Sequence, residues 1–95
     1  MKSGQSQITD GWVVYLLRCS DDSLYCGITN DVERRVKMHN SGNGSAYVRS
    51  RLPARLVYSE PAKNRSQASK REYEIKQLKK SQKEKLVQYE NRSKN

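Results

Sequence analysis

The chain has 95 residues, enough for one domain with a modest core and too few for two. Nineteen Lys and Arg against ten Asp and Glu leave a net charge of +9. Such a field attracts polyanions, nucleic acid above all, although solvated lysine-rich helices give the same composition. No apolar run exceeds residues 12–17, which excludes a membrane-spanning helix of about 20 residues.

Residues 1–11 are polar and Gly/Ser-rich, with no secretory pattern, and predict a loose tail and a cytoplasmic location. The folded domain is expected over residues 12–90, with residues 91–95 frayed. Phe is absent, so the core must draw on Val, Leu, Ile, the single Trp12 and some of the six Tyr. Residues 12–19 read as an apolar strand, followed by the turn formers Ser20, Asp21, Asp22 and Ser23. Residues 24–29 resume a strand, in which Gly27 permits close approach of another group.

Loop length decides which side chains share a face. A two-residue loop at Asp21 and Asp22 puts Tyr15 and Tyr25 on opposite faces. A three-residue loop over residues 21–23 pairs Tyr15 with Thr29 and puts Tyr25 and Gly27 on that same face. The second is preferred, with Asp22 or Ser23 in the left-handed position. Cys19 and Cys26 lie on neighbouring strands without zinc-knuckle spacing, and His39 alone cannot complete a tetrahedral site. Both read as reduced, small packing residues.

A helix follows directly, with Thr29 or Asn30 as N-cap and Asp31 and Glu33 in its first turn. At about 100° per residue, Val32, Val36, Arg35 and His39 fall on one side, Arg35 and His39 one turn apart. Arg34 and Lys37 point elsewhere. The helix should end near Asn40, where Ser-Gly-Asn-Gly breaks it. Residues 45–54 carry Tyr47 beside Arg49 and Arg51, which suits either a phosphate-and-base contact or an ordinary surface loop. Residues 55–59 predict a third strand. Ser66 should cap a helix to about Lys80, and Ser81 with Glu84 a capping box for a last helix to about Glu90.

On the second long helix Glu72 shares the packed side with Ala68 and Ile75, while Glu74 points to solvent. A carboxylate there needs a partner, either an Arg such as Arg35 or a metal ion.

Val13-Val14-Tyr15, then Tyr25-Cys26-Gly27 ten residues on, then Arg35 and His39, resembles the GIY-YIG nuclease domain. The resemblance is closest to its small single-domain bacterial members and covers about residues 12–80. Further landmarks are the Tyr-Cys-Gly-Ile-Thr run, Glu-Arg-Arg before the His, Ser-Gly-Asn-Gly, Leu-Val-Tyr-Ser-Glu and Arg-Glu-Tyr. It implies an α+β fold, a three-stranded antiparallel sheet flanked by helices in the order β-β-α-β-α-α. It also implies metal-dependent endonuclease activity on DNA, of the kind that serves repair or recombination.

Matched position by position, Tyr15 and Tyr25 take the two motif tyrosines, Gly27 the closing glycine and Arg35 the catalytic arginine. His39 takes the residue one turn later and Glu72 the metal-binding carboxylate. The chain departs from the family pattern at Val13, Val14 and Cys26. It has no clear match for a late Asn, although Asn91 is available.

Phosphodiester hydrolysis needs an activated water, charge neutralisation and a stabilised leaving oxygen. The resemblance implies one Mg²⁺ or Mn²⁺ on Glu72 and a phosphate clamp at Arg35. Tyr15 would act as the base, its pKa lowered by nearby positive charge, with His39 the competing base. All five residues should then converge on one concave surface. Lys70, Lys76, Lys79, Lys80, Lys83 and Lys85, with Arg49 and Arg51, are candidate phosphate contacts. Packing tyrosines and a helix-end histidine are the plain readings of the same positions. The rival function is a non-catalytic module on DNA or structured RNA. A protein partner supplying substrate specificity fits either reading.

Overall fold

In the computed structural model, residues 11–93 are described, with side chains through residue 89. Strands β1 (Val13–Arg18) and β2 (Leu24–Thr29) precede helix α1 (Val32–Asn40) and the short α2 (Ala46–Arg49). Strand β3 (Arg55–Pro61) and helices α3 (Arg65–Lys76) and α4 (Lys80–Ser93) complete the order. The sheet is antiparallel in the order β2-β1-β3, so the α+β architecture expected from the sequence is the one observed, with α2 added.

The apolar run at the start of the domain becomes the central strand. Val14, Tyr15, Leu16 and Leu17 are each at most 1% exposed, because helices cover both faces of β1 and bury its four central side chains. Val14 and Leu16 join Cys26, Tyr58, Ala68, Ile75 and Val87 under α3 and α4. Tyr15 and Leu17 pack on the opposite side with Cys19, Val48 and Ala54, bordered by Tyr25, Val32 and Val36. Both cysteines are buried and free, as small packing residues.

The hairpin loop has three residues, but they are 20–22 and not 21–23. Cys19 N–H donates to Ser23 O, and Asp22 N–H to Cys19 O, each at 2.9 Å. Asp22 takes the left-handed position with φ 70°. The Asp21 carboxylate accepts from the Ser23 amide at 3.1 Å and its hydroxyl at 2.5 Å, which draws Ser23 out of the turn and into the ladder. Tyr15 is therefore opposite Gly27, not Thr29. The shift is one pair of residues, an even step, so Tyr15, Tyr25 and Gly27 still share a face.

The helix ends also differ from expectation. Asp31 caps α1, its carboxylate accepting from Arg34 N–H at 3.2 Å, while the Thr29 hydroxyl accepts from Asp31 N–H. Asn64, not Ser66, caps α3. That helix stops at Lys76 and not near Lys80, because Lys79 N–H turns to Gln82 Oε1 at 2.9 Å and starts α4. Glu84 does not close a capping box. It forms two charge-assisted bonds with Arg18 and one with Lys80, stronger than a neutral cap contact. Helix α4 continues to Ser93, so residues 91–93 are helical where fraying was expected. The predicted tail lies outside the described residues except for Gly11, as does the side chain of Asn91.

Candidate active site

Tyr15 stands on the buried face of the central strand, and His39 ends the last turn of α1. Their side chains meet through a 2.9 Å hydrogen bond between the Tyr15 hydroxyl and His39 Nε2. Tyr15 is 1% exposed and His39 0%. The contact depends on two glycines. A Cβ on Gly27 would stand 2.5 Å from the Tyr15 hydroxyl, and one on Gly44 would stand 2.2 Å from His39 Nδ1. The Ser-Gly-Asn-Gly segment is thus more than a helix breaker, since its last glycine closes over the imidazole.

Tyr25 meets the His39 ring edge-on, with centroids 5.4 Å apart, and stacks on Tyr47 at 6.0 Å. The Arg51 guanidinium lies over the Tyr47 ring at 3.8 Å from its centroid. Arg51 is held by Asp21 at 3.0 Å and by the Tyr47 carbonyl at 2.9 Å. Of the two loop readings, Arg51 therefore takes the structural one, while Arg49 is exposed.

Burial raises the Tyr15 pKa above 10.0, and hydrogen bonding and charge from Arg35 oppose this without cancelling it. The expectation that positive charge lowers this phenol is corrected accordingly. Burial also lowers His39 below its ordinary 6.5, and the positive charge of Arg35 adds to the effect. The pair is neutral near pH 7, and the Tyr15 hydroxyl is the donor in the tautomer that carries the imidazole proton on Nδ1. A neutral imidazole is no helix-end cation, so the dipole reading of His39 falls away. His39 Nδ1 has no hydrogen-bond partner among the described residues. Arg35 borders this pair on one side and lines a cavity of about 270 Å³ on the other.

Glu72 is not brought into this cluster. Helix α3 packs on the opposite, Val14 and Leu16 face of the sheet, which overturns the expected single concave surface. As predicted, Glu72 is on the packed side and Glu74 outside, their side chains 23% and 62% exposed. The Glu72 carboxylate pairs with Lys76 at 3.3 Å, not with Arg35. It adds to the burial that pushes the Cys26 thiol up to about 12, and α3 packs along β2. Strand β2 is an edge strand, so Arg35 and Glu72 flank one open edge from two faces.

Among the described residues no three His, Cys, Asp or Glu side chains group as a metal cage. A single half-solvated carboxylate still matches the usual demand of Mg²⁺, which keeps several waters and shares the substrate phosphate. Lys76 and Lys80 are paired with Glu72 and Glu84. Lys70, Lys79, Lys83, Lys85 and Arg49 form no ion pair among the described residues. The positions that sequence reasoning missed are Gly44, which closes over His39, and Arg34, which shares the cavity with Arg35, while Tyr47 was singled out and stacks on Tyr25. No periodicity marks any of them.

The GIY-YIG catalytic domain model matches residues 11–86 of the chain. A UPF0213 protein of Desulfotalea psychrophila is 52% identical over 77 residues, covering 80% of this chain and 70% of that protein. The UPF0213 protein YhbQ of Escherichia coli is 50% identical over 76 residues, covering 80% of this chain and 76% of YhbQ. The solution structure of the UPF0213 protein BH0048 from Bacillus halodurans superposes with a TM-score of 0.53 at 45% identity, covering 82% and 83%. That of EF2693 from E. faecalis superposes with a TM-score of 0.56 at 37% identity, covering 83% and 84%.

Proposed function

The chain belongs to the GIY-YIG family of nuclease domains, and from that premise we propose that it is a metal-dependent endonuclease hydrolysing DNA phosphodiester bonds. The observation that carries this reading is the neutral Tyr15–His39 hydrogen bond beside Arg35. A raised phenol is a poor base alone. With neutral His39 at 2.9 Å, the Tyr15 oxygen can take a proton from water while passing its own to Nε2. This relay joins the two rival bases in one path.

Arg35 couples that path to the substrate. Its positive charge lowers the proton affinity of His39 in the free protein. A phosphate clamped by Arg35 offsets that charge, so His39 becomes a better acceptor once substrate is bound. Tyr25 keeps the imidazole in plane by its edge contact. Displacing Gly44 from His39 would open the pair to water. Glu72, at the far side of the β2 edge, would hold Mg²⁺ or Mn²⁺, which when bound neutralises charge on the leaving oxygen.

The burial of Tyr15 and His39 favours one rival reading, a non-catalytic nucleic-acid-binding module that keeps the fold without the chemistry. Incubation with supercoiled plasmid and branched DNA, with Mn²⁺ and with chelator, separates the two. Metal-dependent nicking that Tyr15→Phe abolishes is the expected result. Binding without nicking in any metal would leave the rival.

A further inference from the structure

Resting on the nucleic-acid reading above, we infer that the cavity beside Arg35 seats the nucleotide flanking the scissile phosphate, with its base on Trp12 and its phosphate on Arg34. The cavity, of about 270 Å³, has apolar walls from Trp12, Ile28 and Met38 and cations from Arg34 and Arg35. Neither arginine pairs with a carboxylate among the described residues. The one acid in the lining, Asp31, is engaged as the cap of α1. An aromatic ring beside two uncompensated guanidinium groups suits a ligand with a flat π-face and a negative charge. A nucleotide carries both on adjoining groups, its base and its phosphate.

Position strengthens the assignment. Arg35 is a shared wall, with the Tyr15 and His39 pair on one side and the cavity on the other. A chain whose scissile phosphate sits on Arg35 must run its neighbouring nucleotide through the adjoining space. Trp12 is fixed there by its carbonyl, which accepts from Ala62 N–H at 2.8 Å. The Arg65 guanidinium lies 5.8 Å from the centroid of its ring, adding positive charge beside the stack.

Trp12 is the single tryptophan of the chain, so all tryptophan emission comes from this wall of the cavity. The whole protein is titrated, in chelator to prevent cleavage, with a short single-stranded oligonucleotide and an abasic strand of equal charge. DNA and RNA versions separate the two sources of the same chemistry. The base-bearing strand should quench Trp12 to saturation, and the abasic strand should bind about 5- to 100-fold more weakly without quenching. Arg34→Ala should keep the unbound emission and reduce the salt slope of binding by about 0.7. Absence of binding, binding without quenching, or equal quenching by the abasic strand would overturn the subsite. Quenching by a protein that never cleaves with Mn²⁺ would sink the nuclease reading and leave the subsite standing.

Discussion

The Tyr15 hydroxyl and His39 Nε2, 24 residues apart in the chain, lie 2.9 Å apart inside the domain. A strand side chain and a helix side chain form this bond only because Gly27 and Gly44 leave room for the two rings. The pair is both part of the core and the chemical centre of the site. Changes to it should therefore register in stability as well as in activity.

Stability should fall in two separate steps as pH is lowered. His39 ordinarily titrates at 6.5 and is depressed in the fold by burial and Arg35. The unfolded chain therefore binds a proton below about 6.5 that the folded chain refuses, and stability is lost as pH falls through that value. Glu84, held at about 2 against an ordinary 4.5 by Arg18 and Lys80, gives a second loss from 4.5 toward 2. Urea midpoints across this range should show both steps, and His39→Gln should remove only the first. A flat profile between pH 7 and 5 in the wild type would contradict the buried neutral imidazole.

Gly27→Ala should displace the Tyr15 hydroxyl from His39. The added methyl would stand 2.5 Å from that oxygen, and overpacking of this kind costs about 1–3 kcal/mol. Denaturation should report that loss, and nicking assays a fall of at least about tenfold, since the relay needs hydrogen-bond contact. Unchanged nicking in a folded Gly27→Ala protein would remove Tyr15 from the mechanism.

The loop arginines should behave differently from each other. Arg51 is occupied by Asp21 and the Tyr47 carbonyl, whereas Arg49 is exposed and forms no ion pair among the described residues. Arg49→Ala should reduce the slope of log affinity against log salt on duplex DNA by about 0.9. Arg51→Ala should leave that slope unchanged while lowering the melting temperature, because the stack over Tyr25 loses its outer layer. Equal slope changes would mean that Arg51 lets go of Asp21 to reach phosphate.

Glu72→Ala should abolish metal-dependent nicking and spare DNA binding, whereas Glu74→Ala should be silent in both. Glu74 is 62% exposed and its carboxylate pairs with Arg71 at 3.2 Å, while Glu72 is 23% exposed on the packed side of α3. Nicking rates and gel shifts of the two variants provide the comparison. Loss of nicking in Glu74→Ala alone would move the metal-binding role away from the β2 edge.

Local chemistry determined much of this protein from the sequence alone. The apolar run before Arg18, the Asp22 turn, the helix break after Asn40 and the packed side of Glu72 all follow from rules that act within a few residues. The shared face of Tyr15, Tyr25 and Gly27 survived a register error, because strand parity has a period of two and the error was an even step. Tertiary structure decided the rest. Asp21 set the register, and Arg18 drew Glu84 out of its cap with a charged bond from 66 residues away. Burial raised the Tyr15 phenol against the pull of Arg35. The sheet also put α3, the helix that carries Glu72, on the opposite face from Tyr15 and Tyr25. Desolvation, long-range ion pairing and sheet sidedness depend on neighbours distant in the chain, and no local spacing encodes them.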